Sequence, residues 1–335
     1  MSKTAEPHDE IADLKRALAR RFGSAAAVEN VVVPTLGGSN RTILFDLVEG
    51  ATRRRMVSRQ ETYTGDDSPF LSPDEQFRIL QIVHKAGVKV PEPIFAYDAQ
   101  DDMGAGYITG FVAGETMPKK LIQGPEFAEV RPVLARQAAE QLALLHALPA
   151  EQFSFIAHTR DSVDTVAANR FRLDAYGEAH PAIELGLRWL ERNRPSARPP
   201  VLVHGDYRTG NFMVGPDGLR AVLDWECTHL GNGIEDIGWI CTRSWRFQRP
   251  DLPVGGISER QPFYDAYAAV SGLKVDPDEV RYWEICGLVR WAILNIMQGY
   301  GHVFGGRRGV VFAACGRNTS LVEYDLMMTL KGHYQ

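Results

Sequence analysis

The densest run of chemistry-bearing residues is Leu202-Val203-His204-Gly205-Asp206-Tyr207-Arg208-Thr209-Gly210-Asn211, followed one short apolar hairpin later by Asp224-Trp225-Glu226. Asp217-Gly218 reads as a two-residue hairpin turn of type I′, which needs positive φ at both central positions. On that reading Met213 faces Val222, Phe212 faces Leu223 and Asn211 faces Asp224. Directly opposed residues share one side of a sheet with Cβ atoms ~5 Å apart. An amide oxygen and a carboxylate would then meet where one hard cation could touch both. Asp206, five residues before Asn211 in the entry loop, overlooks the same point. Phosphoryl transfer uses such a trio. Mg²⁺ takes oxygen ligands and binds one or two protein groups together with phosphates, and a further carboxylate orients the attacking hydroxyl and accepts its proton. A lone Asp-Gly hairpin is more often a plain solvated turn; three converging polar residues, each beside a buried apolar strand, favour the cation site.

The elements that must position these residues change character along the chain. Ile11, Leu14, Leu18 and Phe22 recur at helical spacing over Asp9–Phe22. Val31–Leu36, Arg41–Val48 and Arg54–Gln60 have β character. Ser72-Pro73-Asp74-Glu75 opens a helix to about Ala86, with serine as N-cap and Glu75 at N3. Val88–Tyr97 is extended and Gly106–Val112 reads as a strand. From Gly114 onward helices dominate: Val130–Leu148, Pro181–Arg192, Gln261–Val270 and Asp278–Met297. Val201–Val203 is a short buried strand feeding the polar cluster, and the glycine-rich Gly299–Arg308 reads as a loop. Trp225, Trp239, Trp245, Phe247, Trp283 and Trp291, among the aromatic residues of this half, read as core packing rather than a substrate cage.

Composition sets outer limits. Over 335 residues, 44% hydrophobic and 24% charged is the balance of a folded globular protein. A net charge of −5 opposes general nucleic-acid binding, which needs excess Lys and Arg. Ile285–Tyr300, interrupted by Arg290, Asn295 and Gln298, is too short and too polar for the ~20 apolar residues that cross a bilayer. The four cysteines show no C-x-x-C spacing, and the first ten residues hold no apolar leader core. The expectation is a cytoplasmic protein without membrane or nucleic-acid partners, monomeric or homodimeric.

His204-Gly205-Asp206 with Asn211, followed by Asp224-Trp225-Glu226, resembles the aminoglycoside phosphotransferase-like branch of the protein-kinase superfamily. That branch includes choline and homoserine kinases and the kinase-like domains fused to some acyl-CoA dehydrogenases. The resemblance spans about Val31–Met297 and is strongest over Val201–Asp236. It implies an α+β, two-lobed protein-kinase-like fold: a small β-rich nucleotide-binding lobe at residues 1–113, and a larger helical lobe at residues 114–335 with the catalytic loop and acceptor site. It implies Asp206 as catalytic base, Asn211 and Asp224 as magnesium ligands, His204 as loop support and Asp236 as a brace of that loop. In the first lobe, Gly38, Ser39 and Asn40 stand where the family folds a hairpin over the phosphates. Arg59 stands where kinases place a phosphate-gripping lysine. Glu75 would pair with that residue; its place in the capping box is compatible with that role, and the sequence alone favours the cap. Thr109 and Phe111 lie in the hinge strand Tyr107–Val112, whose backbone would read the adenine edge. The implied reaction is transfer from ATP, or from GTP, with Mg²⁺, to a hydroxyl of a small molecule. Arg59 in place of lysine, with the imperfect phosphate loop, leaves a second expectation: a nucleotide-binding scaffold with little turnover. Asn232-Gly233, where the family often has Asp-Pro, speaks against a metal or catalytic role for residue 232.

Overall fold

In a computed structural model, the protein is described over residues 10–34, 40–61, 69–305 and 308–334. It divides into two compact units, Met1–Ala113 and Gly114–Gln335. The first is built on a sheet and the second on helices, an α+β protein.

The first unit runs α1 (Glu10–Phe22), β1 (Ala27–Val32), β2 (Asn40–Glu49), β3 (Thr52–Glu61), α2 (Pro73–Lys85), β4 (Pro93–Ala96) and β5 (Gly106–Gly110). Its sheet has the order β1-β2-β3-β5-β4, with antiparallel neighbours throughout. Alternation along the strands sorts the two faces. Ile43, Phe45 and Leu47 of β2, Met56 of β3 and Ile108 of β5 join Leu14 and Leu18 of α1 in one buried cluster. The other face belongs to α2, where the rings of Phe77 and Tyr107 are 6.0 Å apart and Tyr107 Oη donates to Gln76 Oε1 at 3.2 Å. Arg59 is register-paired with Tyr107 and directly opposed residues share a face, so Arg59 lies on the α2 side. β1 starts earlier than the sequence reading placed it, and a register shift between Glu29 and Val32 makes it an irregular edge strand.

The second unit holds α3 (Pro118–Gln123), α4 (Arg131–His146), α5 (Arg160–Tyr176), α6 (Pro181–Arg192), β6 (Val201–Val203), β7 (Phe212–Gly215), β8 (Gly218–Val222), β9 (His229–Gly231), α7 (Ile234–Cys241), α8 (Arg260–Ser271), α9 (Pro277–Val303) and α10 (Val310–Leu330). α9 is buried almost continuously from Glu279 to Ile296, and a helix without a solvent face must pair its charges. It does: Glu284 accepts from Arg260 Nη2 at 2.8 Å, and Arg290 lies 3.5 Å from Glu235. Among the described residues no helix is long and apolar enough to cross a membrane. Residues 299–303, expected as loop, continue α9. The reason is packing: a Cβ at Gly299 would stand 2.9 Å from the Cα of Gly316 on α10, so the glycine lets two helices touch.

α7 lies equally close to α9. A Cβ at Gly238 would stand 2.4 Å from Trp283 Cβ and 2.7 Å from its carbonyl carbon. Gly238→Ala is therefore expected to destabilise the protein by about 1–3 kcal/mol through overpacking, read as a lower urea midpoint. An unchanged midpoint would mean that α7 can move off α9 without penalty.

Candidate active site

β6 and β9 pair antiparallel, Leu202 against Leu230, and set the two ends of the loop that carries Asp206. The loop is fixed from behind by α7. Asp236 Oδ2 accepts the backbone N–H of His204 at 2.8 Å, Asp236 Oδ1 accepts that of Gly205 at 2.9 Å, and His146 Nε2 donates to Oδ2 at 3.1 Å. Burial alone would raise the pKa of Asp236, but the His146 hydrogen bond and the backbone donors outweigh it and hold the carboxyl below its ordinary value. Gly205 takes φ +78°, and a Cβ there would lie 2.3 Å from the Cys227 carbonyl oxygen, so only glycine fits the turn. Burial lowers the pKa of His204 and keeps its ring neutral. Nε2–H then donates to the Leu223 carbonyl at 3.0 Å, while Nδ1 accepts the Asp206 N–H at 3.2 Å. One ring thereby ties the Asp206 backbone to the residue preceding Asp224.

The Asp206 carboxylate is held at both oxygens. Oδ1 accepts from Trp239 Nε1 at 2.9 Å and from Arg208 Nε at 2.9 Å. Oδ2 accepts from Asn211 Nδ2 at 2.6 Å, and the same Nδ2 reaches the Asp206 carbonyl at 2.9 Å. Both partners of that nitrogen are pure acceptors, which fixes the amide's orientation and leaves Oδ1 as the atom Asn211 can offer a cation. Burial works against the charge of Arg208, but Asp206 and Asp224 outweigh it and raise its pKa. The Arg208 guanidinium lies 4.6 Å from the ring centroid of Trp245. Asp224 sits at φ 62°, ψ 68°, a left-handed conformation that aspartate adopts more readily than most residues.

The hairpin differs from its expected register. Phe212 pairs with Val222, Met213 with Ala221, Val214 with Leu219 and Gly215 with Gly218. Pro216-Asp217 is the loop, one residue earlier than the expected Asp217-Gly218. The proline ring locks φ near −65°, which forbids a type I′ turn there, and Gly218 instead takes the positive φ, +104°. A shift between Met213 and Val214 then accommodates an extra residue in β8. Asn211 consequently accepts the Leu223 N–H at 2.8 Å and is not directly opposite Asp224. What links the two acids is the His204 ring and the field of both carboxylates at Arg208.

Of the other expected binding residues, Gly38 and Ser39 lie outside the described residues, and Asn40 opens β2 opposite Glu61. Glu75 completes the capping box, its Oε2 accepting the Ser72 N–H at 2.9 Å. Thr109 is buried between Val57 and Pro93 in the sheet. Phe111 commits its N–H to the Arg55 carbonyl at 3.0 Å. Three contributors escaped the sequence reading: Arg208, Trp239 and His146. Trp239 had a legible signal, since it follows Asp236 by three residues on one helix and so shares its face. The four cysteines are free, and burial pushes the thiols of Cys227 and Cys241 up to about 12, which removes them as nucleophiles.

A sheet unit joined to a helical unit that carries this loop and hairpin is the organisation of a kinase-like phosphotransferase. The chain belongs to the phosphotransferase enzyme family, whose model matches residues 31–275. It is 25% identical over 266 residues to the "Probable acyl-CoA dehydrogenase IBR3" of Arabidopsis thaliana, a match covering 70% of this chain and 32% of that one. It is 27% identical over 177 residues to acyl-CoA dehydrogenase family member 11 of Rattus norvegicus, covering 50% of this chain and 22% of that one. The chain thus spans a third or less of the length of these relatives. Similar folds include the GDP complex of aminoglycoside 2′-phosphotransferase-IIIa (TM-score 0.65, 14% identity, 96% and 99% of the two chains) and a Plasmodium vivax ethanolamine kinase (TM-score 0.64, 13% identity, 96% and 91%).

The Asp236 contacts carry a testable consequence. A carboxyl whose folded pKa is depressed contributes stability that is complete above its unfolded pKa and is lost as acid protonates it. Asp236→Asn should lower stability by about 3–5 kcal/mol at neutral pH, with the gap to the native protein narrowing below about pH 4. Denaturant titrations across pH check this; a gap independent of pH would mean that the charge of Asp236 does no stabilising.

Proposed function

We propose that the protein transfers the γ-phosphoryl group of ATP, or of GTP, to a hydroxyl of a small molecule, with Mg²⁺ as cofactor. The observation that supports this best is the division of labour at Asp206. Oδ1 takes two donors and Oδ2 only one, so Oδ2 keeps a lone pair for the acceptor's proton. As the hydroxyl oxygen bonds to the γ-phosphorus, the bond to the leaving diphosphate breaks and the hydroxyl proton passes to Asp206. The donor set fits the metal: Asn211 Oδ1 and the Asp224 carboxylate are hard oxygen ligands. Mg²⁺ would neutralise charge developing between the phosphates. In the sheet unit, Arg59 on the α2 face would fork onto phosphate oxygens in place of a lysine. Its charge is permanent, so the substitution keeps phosphate binding while changing its geometry. Gly38, Ser39 and Asn40 would cover the phosphates. Since Phe111 has committed its N–H, the β5 segment with Thr109 would meet the base through carbonyl oxygens or the Phe111 ring. The small-molecule acceptor, and not a nucleic acid or membrane, is the partner this reading requires.

Asp206→Ala should lower acceptor-dependent ADP release by roughly 10²–10⁴ while leaving nucleotide binding nearly intact. Undiminished release would remove Asp206 from the chemistry, and ATP binding without release under any acceptor would favour the scaffold reading.

Thermal shift separates the metal's role. ATP at ~100 times its dissociation constant should stabilise the native chain by about 2.7 kcal/mol only when Mg²⁺ is present, and Asp224→Ala should lose that increment. Equal stabilisation with and without Mg²⁺ would count against Asn211 and Asp224 as ligands.

A further inference from the structure

The turn that presents Asp206 is gripped from two sides. On one side Asp236, near the head of α7, holds the N–H groups of His204 and Gly205. On the other stands the Cys227 carbonyl, so near that a Cβ on Gly205 would lie 2.3 Å from its oxygen. Thr228 Oγ1 reinforces this second side by donating to the His204 carbonyl at 3.3 Å. The first grip therefore belongs to α7, and the second to the segment that leads from Asp224 into β9.

One buried side chain joins the two. His229, the first residue of β9, has its Nδ1 3.0 Å from the Cys227 carbonyl oxygen and its Nε2 3.3 Å from Oε2 of Glu235, the neighbour of Asp236 on α7. A backbone carbonyl only accepts, and so does an ionised carboxylate. A neutral imidazole has one N–H and can serve one of them; the imidazolium has two and serves both. The charges that bear on the ring come from three helices. Glu235 also accepts from Thr165 Oγ1 at 3.3 Å and lies 3.5 Å from Arg290 of α9. Asp161 of α5 is paired with Arg172 of the same helix at 3.0 Å. β6, the strand partner, is Val201-Leu202-Val203 and brings no charge. Burial opposes a charge on His229, and Arg290 does too, but Glu235 and Asp161 outweigh them and raise its pKa above the ordinary 6.5. The thiols of Cys227 and of Cys286 on α9 are pushed far up by burial and stay neutral.

We propose that His229 is a positioning residue: as imidazolium it ties the Cys227 carbonyl to α7, closing the clamp that aims Asp206, and on losing a proton it releases one side. A group whose folded pKa is raised contributes fully at low pH, and that contribution is lost as pH rises through the folded value. Phosphoryl transfer therefore declines on the alkaline side of the His229 titration. The link to transfer rests on the phosphotransferase reading; the clamp itself does not.

Two measurements on the full chain test this. In protein isotope-labelled at histidine and glycine, NMR follows the His229 ring and the Gly205 amide from about pH 5 to pH 9. The ring should titrate with a midpoint above 6.5, and the Gly205 amide should shift with the same midpoint. Glu235→Gln keeps an acceptor but removes its charge, and should lower both midpoints by at least about one pH unit. The second measurement is ADP release from Mg·ATP with water as the acceptor. Its kcat should fall above the ring's midpoint while KM for ATP holds steady, and the decline should move with the midpoint in Glu235→Gln. His229→Gln, which can donate only from its amide nitrogen, should release ADP slowly at every pH without an alkaline decline. The native titration needs neither variant. A ring that does not titrate in this range or does so at or below 6.5, a Gly205 amide indifferent to it, or an alkaline decline unmoved by Glu235→Gln overturns the proposal. Joint titration of ring and amide, without ADP release or stabilisation by Mg·ATP, would support the clamp and sink the phosphotransferase reading. ADP release with a flat alkaline profile does the reverse.

Discussion

One buried carboxylate organises the loop that carries Asp206. Asp236 is fully inaccessible, and its two oxygens accept from His204, Gly205 and His146. An ionised group in such a place is tolerated only when its hydrogen bonds are complete, so the contacts exist together or not at all. Gly205 can turn at φ +78° because it has no Cβ; Asp236 holds its N–H there, and the turn delivers Asp206 to the side chains of Arg208, Asn211 and Trp239. α7 itself is held by its close approach to α9 at Gly238. The geometry of the loop is thus inherited, through one side chain, from the packing of two helices.

Around that brace the charges act on one another. Asp206, Asp224 and Asp236 cluster near one loop, and His204 between them is kept neutral by burial. Arg208 answers the fields of both Asp206 and Asp224, and its position over Trp245 is set by a cation–π contact rather than by a further anion. Under the proposed reaction the Asn211 amide, whose nitrogen is committed to Asp206, would turn its oxygen toward the cation.

Much of this was legible in the residues. The Ser72–Glu75 box marked the start of α2, the apolar spacing marked α1, α4, α6 and α8, and the polar run from His204 to Asn211 marked the loop. What failed did so for physical reasons. Asp217-Gly218 looked like the turn, but Pro216 has no N–H to give the ladder and its fixed φ suits the first loop position, so the loop moved back one residue and an extra residue entered β8. α5 escaped notice because its inner face carries Asp161, Thr165 and Asn169; a helix that buries polar groups shows no apolar stripe. The glycines after Ile296 suggested a loop, although in a helix pair they permit contact. Asp236 to Trp239 spans less than one helical turn, yet the reach of the indole to Asp206 depends on where α7 lies and could not be read from spacing.

The tryptophans show why local composition misleads about function. Read by periodicity they are core, and Trp225, Trp239 and Trp245 are indeed buried. Yet Trp239 donates to the proposed base, and Trp245 supports the arginine that does the same. Packing and positioning are one act here: a ring that fills space tightly enough to be immobile can hold a polar partner at fixed distance without a second hydrogen bond. The consequence is an asymmetry between substitutions. Loss of a ring removes both volume and aim, whereas Trp239→Phe would keep most of the volume and remove only the N–H to Asp206. Any effect of that exchange on the loop would therefore come from the hydrogen bond, and it would separate the two roles that burial alone cannot distinguish.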